Sequence, residues 1–386
     1  DNVSVFKAKN IPAFPQEKYL RTRRNYISKV KFELQSSKFP GSTPNYYSTN
    51  WEKVDKTMQE AYEVLDKTKH LKDIMDVLTT SQKKGLPLMS LGFEKIKNHF
   101  TWNDKYGKYP TNTLSKAYKD KEGNVADINL NLVILLRELG FEANPVILST
   151  QKNGIIHPAQ ASLSVFNYVI AMVKFEGKFY LLDATEPYSE INLLPTRCLN
   201  DKGRIIGTTD EKWINLMNGN FTAVWSHDLT IGEDLNIAGT IKGKLKNYAA
   251  YHKRNKVKSE NGNSDTSEQG DEENEEEEEE EEDKNANRII KNTIVKGVDT
   301  LGATIDISYD VTETEYAEAS GDLLYFSPAF DSFFEKNPFK LEKREFPVEF
   351  DYTYKIQQIY SISIPEGYQV SELPKPLITQ LPDKSI

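Results

Sequence analysis

Residues 125–139 are apolar at ten of 15 positions, and this stretch restricts the folds open to the chain more than any other segment. Ile128, Leu132 and Leu135 recur at helical spacing, and the positions between them are largely apolar as well. A helix that is apolar on nearly every side must be buried on nearly every side. Gly140 follows the stretch and is a natural residue for ending the helix. We therefore expect one long buried helix at the centre of a domain.

Strand-like segments follow this helix. Residues 144–148 form a short apolar run after Gly140. Residues 169–175 and 179–182 are separated by Glu-Gly-Lys, which predicts an antiparallel hairpin. A helix followed by antiparallel strands predicts an α+β fold, with the buried helix packed on the sheet.

Composition changes along the chain suggest three domains. Residues 51–120 show apolar side chains at helical spacing and precede the central helix. We therefore expect one domain over 51–228, which begins with helices and ends with the strands of a sheet. Residues 1–50 contain the alternating pattern Val30, Phe32, Leu34, which predicts a strand at the end of an N-terminal β-domain. Residues 229–386 alternate again and predict a β-rich C-terminal module.

An acidic segment interrupts that last module. Residues 259–286 are of low complexity, and we expect them to be a disordered insert, because charges of one sign repel and bury little apolar surface. Residues 271–283 hold 12 acidic residues and no basic one. Without them the acidic count is 58 − 12 = 46 against 49 Lys and Arg, so the net charge of -9 becomes about +3. No basic stripe with interleaved aromatics is present, which argues against nucleic acid as a partner.

The side chains that bind metals or form disulfides are scarce. Cys198 is the single cysteine, so an intrachain disulfide is excluded and a cysteine-based metal site is not expected. The five histidines show no metal-ligand spacing, and we expect no metal and no cofactor. No apolar run reaches the length of about 18 residues that a membrane span needs.

Three segments in order resemble the core of the bacterial transglutaminase-like superfamily: Gly-Asn-Val-Ala-Asp at 123–127, Phe-Asn-Tyr-Val-Ile-Ala at 166–171, and Lys-Phe-Tyr-Leu-Leu-Asp-Ala-Thr at 178–185. The resemblance implies a papain-like transglutaminase core flanked by the β-modules of unknown function that accompany such domains in large secreted bacterial proteins. In that family a Cys starts the buried helix, a His begins a strand and an Asp closes the next one. The corresponding residues here are Val125, Tyr168 and Asp183.

This pattern implies a degenerate triad. Valine provides no nucleophile, and tyrosine, which titrates near pH 10, is a poor proton shuttle at neutral pH. Asp183 then has no histidine to orient. We therefore expect no catalytic residues and interpret the chain as a pseudoenzyme.

Several functions remain compatible with a degenerate site. The first is a binding or scaffold module that accepts an extended peptide, a glycan or a protein at the cell envelope. The resemblance implies a periplasmic, envelope or secreted location, and it leaves the oligomeric state unknown. The alternatives are a rewired, cysteine-independent hydrolase or acyl transferase, with His157 as base and Ser162 or Ser164 as nucleophile, and a purely structural spacer. The expected binding cleft comprises Trp102, Asn124, Asp127 and Asn167.

Overall fold

The computed structural model of the protein describes most of the chain. The described residues are 5, 7, 9–15, 17–30, 34, 36–46, 50–63, 68–208, 211–260, 287–331, 333 and 337–380. The strand expected around Val30–Leu34 lies largely outside them, because residues 31–33 are not described. The acidic insert also lies outside them, apart from residues 259–260.

Helices occupy the first part of the central domain, as the apolar spacing predicted. They are α1 (Trp51–Ala61), α2 (Lys72–Thr80), α3 (Gly85–Lys97) and α4 (Leu114–Asp120). Pro87 lies in the first turn of α3, where a missing backbone N–H costs nothing. The long buried helix is α5 (Val125–Glu138), and Gly140 follows it with a φ of 84°.

A five-stranded sheet packs against α5. Its order is β7-β6-β5-β8-β9, and each neighbouring pair is antiparallel. The strands are β5 (Glu142–Leu148), β6 (Tyr168–Phe175), β7 (Lys178–Leu182), β8 (Lys202–Ile205) and β9 (Trp213–Asn215); β3 (Thr101–Trp102) and β4 (Glu122–Gly123) form a separate short pair. The predicted hairpin is present as β6 and β7. The expectation of an α+β core, with a buried helix on an antiparallel sheet, is confirmed.

A second five-stranded sheet follows, with the order β12-β13-β11-β10-β16. Its strands are β10 (Asn220–Ile231), β11 (Ile237–Asn247), β12 (Arg288–Lys296), β13 (Ile305–Glu313) and β16 (Thr353–Ser363). Helix α6 (Tyr248–Glu260) packs on β10 and β11. The expected boundary between residues 228 and 229 needs correction, because it lies inside β10, whose pairing with β11 runs without interruption from Phe221 to Ile231.

Shorter β-elements accompany the two large sheets. They are β1 (Ser36–Ser37) with β2 (Asn45–Tyr46), and β14 (Glu318–Ser320) with β15 (Leu323–Tyr325). The N-terminal part of the chain contacts the segment before β16: the guanidinium of Arg21 donates to the carbonyl of Phe350 at 2.6 Å and lies 3.3 Å from Asp351. None of the described helices is long and apolar enough to cross a membrane.

Candidate functional site

The first turn of α5 is fixed by reciprocal capping. The Asn124 side chain accepts a hydrogen bond from the Asp127 N–H at 2.8 Å, and the Asp127 carboxylate accepts one from the Asn124 N–H at 3.0 Å. This capping box satisfies N–H groups that the helix itself leaves unpaired. Val125 is therefore the first residue of the helix, and its side chain is fully buried. The position that the resemblance assigns to a nucleophile is occupied by an inert, desolvated side chain.

Strand pairing brings Tyr168 and Asp183 together. Tyr168 opens β6, and Asp183 directly follows β7, its antiparallel neighbour. The Tyr168 hydroxyl donates to Asp183 Oδ2 at 2.7 Å, and neither residue is exposed. The phenol thus forms with the carboxylate the contact that a triad imidazole would form.

Other donors occupy the remaining acceptor sites of Asp183. Its Oδ1 accepts from Asn129 Nδ2 at 3.0 Å. The same oxygen accepts from the Thr185 N–H at 3.0 Å and from the Thr185 hydroxyl at 2.8 Å. With the Tyr168 hydroxyl, four N–H and O–H donors of the chain itself thus bind this fully buried carboxylate, three on Oδ1 and one on Oδ2.

Arg197 completes a buried polar cluster that also contains Tyr168, Asp183, Thr185 and Glu186. Its Nε and Nη2 donate to the Tyr168 hydroxyl at 3.2 and 3.1 Å, and its Nη1 donates to Glu186 Oε1 at 2.6 Å. The Nη2 also donates to Thr185 Oγ1 at 2.9 Å. Arg197 is only 9% exposed, so most of its charge is balanced inside the protein. A planar guanidinium suits this role because its donors form a rigid fork.

Burial and charge set the protonation states of the cluster. Burial raises the pKa of Tyr168 well above its usual range; Arg197 opposes this shift, and Asp183 reinforces it. Burial alone would lower the pKa of Arg197, but Tyr168, Glu186 and Asp183 hold it well above its usual range. Tyr168 therefore remains a neutral donor at physiological pH, and a neutral phenol cannot act as a general base.

The segment after β3 joins Val125 to this cluster. The carbonyl of Lys105 accepts a hydrogen bond from the Val125 N–H at 3.2 Å. The ring of Tyr106, the residue that follows Lys105, packs edge-on against the ring of Tyr168, with the two centroids 5.5 Å apart. Trp102 stacks on Tyr106 and lies beneath the Arg197 guanidinium, 4.4 Å from its ring centroid. The segment that follows β3 thus contacts both Val125 and Tyr168, two of the three positions expected for the triad.

The residues expected to line a cleft are used by the fold instead. Asn124 and Asp127 cap α5 and are buried. The Asp127 carboxylate also accepts from the Thr111 hydroxyl at 2.6 Å. Asn167 accepts from the Thr150 N–H at 2.9 Å and donates to the Thr150 hydroxyl at 2.9 Å. Of the four expected cleft residues, Trp102 and Asn167 are partly exposed, and Trp102 lies beside the cluster.

The candidates for a rewired site do not assemble. Among the described contacts, none joins His157, Ser162 or Ser164 to Asp183. Cys198 does lie near Asp183, with Sγ 3.6 Å from Oδ2, but its side chain is completely buried. Burial, followed by the charge of Asp183, raises the pKa of this thiol well above its usual range. A protonated, buried thiol is a poor nucleophile.

A concave surface is present elsewhere on the central domain. A pocket of about 390 Å³ lies where β5 begins and β6 ends, among Arg137, Asn144, Met172, Lys174 and Phe179. Tyr168 and Asp183 do not line it. In the described part of the chain, no group of three or more His, Cys, Asp or Glu side chains is placed to hold a metal ion.

Arg197 is the residue that the sequence did not single out. It lies between buried Leu194 and buried Cys198, and an arginine in such a run requires buried partners. That signal indicates that Arg197 is paired, but it does not identify the partners. Tyr168 is 29 residues away along the chain, and only the hairpin brings it within reach.

Parts of this α+β chain are similar to known proteins. The model of a domain of unknown function, DUF3858, matches residues 322–382. The chain is similar to the crystal structure of a putative protease from Parabacteroides distasonis, with 10% identity and a TM-score of 0.39. That likeness covers 75% of this chain and 58% of the other. No curated protein matches the sequence significantly.

Proposed function

We propose that the protein is a catalytically inactive relative of the transglutaminase-like domains, and that its central domain serves as a rigid scaffold joined to the C-terminal sheet. The observation that carries this proposal is the fully buried hydrogen bond between Tyr168 and Asp183. By the family resemblance, this bond lies where a catalytic imidazole and its carboxylate would meet. Arg197 completes the closure by bonding the same phenol oxygen.

The closed cluster favours a scaffold over a peptide- or glycan-binding groove. A groove needs exposed surface, yet Tyr168 is 0% exposed and Arg197 covers the inner face of Trp102. A ligand would have to displace a guanidinium that is bound to Glu186, Thr185 and Tyr168. Breaking a buried, hydrogen-bonded charge pair costs several kcal/mol, roughly 3–5. The aromatic pair is therefore part of the core, and the location at the cell envelope remains an expectation from the family resemblance.

Helix α6 supports the scaffold role because it ties the C-terminal sheet to the central domain. The Tyr248 hydroxyl donates to the Leu194 carbonyl at 2.7 Å, and its ring is fully buried in the same core cluster as α5. Arg254 lies 3.4 Å from Glu190. On the sheet side, Tyr248 packs so closely on Gly219 that a Cβ there would lie 2.1 Å from the ring. The two sheets thus share side chains and do not meet only through a linker.

Calorimetry of wild type and two Tyr248 variants tests the scaffold role. We expect the wild type to unfold in one transition, with equal calorimetric and van't Hoff enthalpies, because the shared core couples the two sheets. Tyr248→Ala should remove about 3–5 kcal/mol and split the transition into two. Tyr248→Phe keeps the ring, loses only the bond to Leu194, and should retain a single transition at a slightly lower temperature. Two separate transitions in the wild type would contradict a rigid scaffold.

A further inference from the structure

Strand β16 lies at one edge of the second sheet, and its outer side is open. Among the described strands it pairs with β10 alone, in parallel and without a break in register. The carbonyl of Ile359 lies 3.3 Å from Nδ1 of His227 on β10 and therefore points toward that strand. Peptide groups of alternate residues point to opposite edges, so those of Gln358 and Tyr360 point away from β10. This edge presents backbone donors and acceptors that can bind another strand.

The other edge strand of this sheet, β12, is protected against such pairing. Its register with β13 shifts between Lys291 and Ile294, which marks a β-bulge. Three of its nine residues are basic: Arg288, Lys291 and Lys296. Bulges and basic residues at an edge prevent sheets from joining edge to edge. By contrast, β16 has eleven residues in continuous register, and Lys355 is its single charged residue. Its edge is therefore suited to pairing.

Exposed apolar side chains gather along β16. Ile359 is 49% exposed and Tyr354 is 39% exposed, although both belong to a strand of the sheet. Tyr368 and Val370, which follow the strand, are exposed as well. In an antiparallel pair the end of one strand lies beside the start of the other, so Tyr354 would meet the residues that follow β16. Contact with a second copy would thus remove apolar surface from water.

The sequence of β16 complements itself when two copies run antiparallel about Ile359. In this register Ile359 lies opposite its own copy, and Ile356 lies opposite Ile362. Lys355 lies opposite Ser363, so no like charges meet. Residues directly opposite each other share a face of the sheet, so both copies keep their buried faces on the same side. The same symmetric arrangement of two β12 strands would set one basic end against the other.

We propose that the protein forms a symmetric dimer in which two β16 strands pair antiparallel and join the two five-stranded sheets into one. The two-fold axis passes beside Ile359, perpendicular to the sheet, so each copy contributes the same surface. Backbone hydrogen bonds between the strands provide the affinity, and the opposed isoleucines set the register. One strand pair is small beside the roughly 1,200–2,000 Å² of a standard interface, so the association is weak and concentration-dependent. This surface is separate from the Tyr168 cluster.

Disulfide trapping tests the pairing and its register. The peptide groups of Ile359 point toward β10, so the pair across the axis is a non-hydrogen-bonded one, with Cα atoms about 4.5 Å apart. That distance lies within the disulfide range of roughly 4.4–6.8 Å. Mild oxidation of native Ile359→Cys protein should therefore give a disulfide-linked dimer on a non-reducing gel. The native Cys198 is completely buried and should not react.

Two further cysteine variants are the matched controls. In the proposed register Gln357 lies opposite Ser361, so the two copies of Gln357 are four positions apart along the strands, about 13 Å. Gln357→Cys should therefore cross-link at least tenfold more slowly than Ile359→Cys. Ile294→Cys, at a 53% exposed position on β12, should be equally slow. Equal rates in all three variants would indicate random collision, and no dimer from Ile359→Cys would exclude the pairing. Either result would overturn the proposal.

Sedimentation equilibrium without any cross-linker provides an independent readout. We expect the average mass of the wild type to rise from the monomer value toward the dimer value as its concentration increases, by mass action. Ile359→Lys sets two positive charges against each other and should weaken association at least tenfold. Ile294→Lys places the same charge on the other edge and should associate like the wild type, and circular dichroism checks that both variants fold. A wild type that stays monomeric, or equal effects of the two substitutions, would refute the dimer.

Discussion

The hydroxyl of Tyr168 donates a 2.7 Å hydrogen bond to the carboxylate of Asp183, and both residues are completely buried. On the proposed function, a neutral phenol and, at the start of α5, Val125 stand where the family resemblance would put the catalytic partners of this carboxylate. Arg197 and Thr185 bind the same two side chains. On the proposed function this buried cluster stabilises the fold, and that role has measurable consequences.

Removing the Tyr168 hydroxyl should destabilise the fold. In Tyr168→Phe, Asp183 Oδ2 loses its 2.7 Å donor, and the Arg197 guanidinium loses an acceptor. Unsatisfied buried polar groups cost about 1–3 kcal/mol. Urea unfolding should show a loss in that range with an unchanged m-value. Tyr325→Phe, at a position that is 56% exposed, is the matched control and should change stability by less than about 0.5 kcal/mol. Equal effects of the two substitutions would contradict a structural role for the hydroxyl.

The Arg197–Glu186 pair should show strong coupling. Arg197→Met leaves Glu186 buried without its 2.6 Å partner and should cost about 3–5 kcal/mol. Replacing both residues, as Arg197→Met with Glu186→Leu, removes the isolated charge and should recover part of that loss. A double-mutant cycle in denaturant measures the coupling. Additive effects would show that the two side chains act independently.

Cys198 should be inert in the folded protein. Its thiol is buried, and burial together with Asp183 raises its pKa well above the usual range. Because it is the single cysteine, intact mass after iodoacetamide treatment reports on it alone. We expect no labelling under native conditions at pH 8 and complete labelling in denaturant. Rapid native labelling would indicate an accessible thiolate and would reopen the case for a rewired site.

Tyr168 should make the protein less stable at alkaline pH. Unfolded tyrosine loses its proton near pH 10, whereas burial keeps folded Tyr168 protonated well above that value. The folded state then binds more protons, so stability is complete below about pH 10 and falls as the pH rises. Tyr168→Phe should make this slope shallower by about 1.4 kcal/mol per pH unit. Identical slopes above pH 10 would show that Tyr168 titrates normally.

The sequence predicted the elements with strong periodicity. The buried α5 and the β6–β7 hairpin follow directly from apolar spacing and from the Glu-Gly-Lys turn, where Glu176 and Gly177 adopt positive φ. The domain boundary expected between residues 228 and 229 falls inside β10, although the apolar residues Phe221, Ala223 and Trp225 already occupy alternate positions in the first half of that strand. That strand is defined by pairing with β11, and pairing partners are not visible in one segment alone.

The site was predicted only in part. Tyr168 and Asp183 were identified as neighbours through the resemblance, and the structure places them in contact. Arg197 and Glu186 were not identified, because their pairing arises where a loop folds back on the sheet. Trp102 was expected to line an open groove, yet its ring supports the Arg197 guanidinium. Tertiary charge pairing of this kind leaves no periodic signal.

Turnover by the purified wild-type protein tests the account most directly. The assay should combine amide hydrolysis and transamidation with peptide and glycopeptide acyl donors. An Asp183→Asn variant, prepared from the same host in the same way, controls for contaminating enzymes. We predict that the wild type shows no turnover above the variant, because Val125 cannot attack an acyl group and Tyr168 stays protonated beside Asp183. Wild-type turnover that survives repeated purification and is lost in Asp183→Asn would contradict the account.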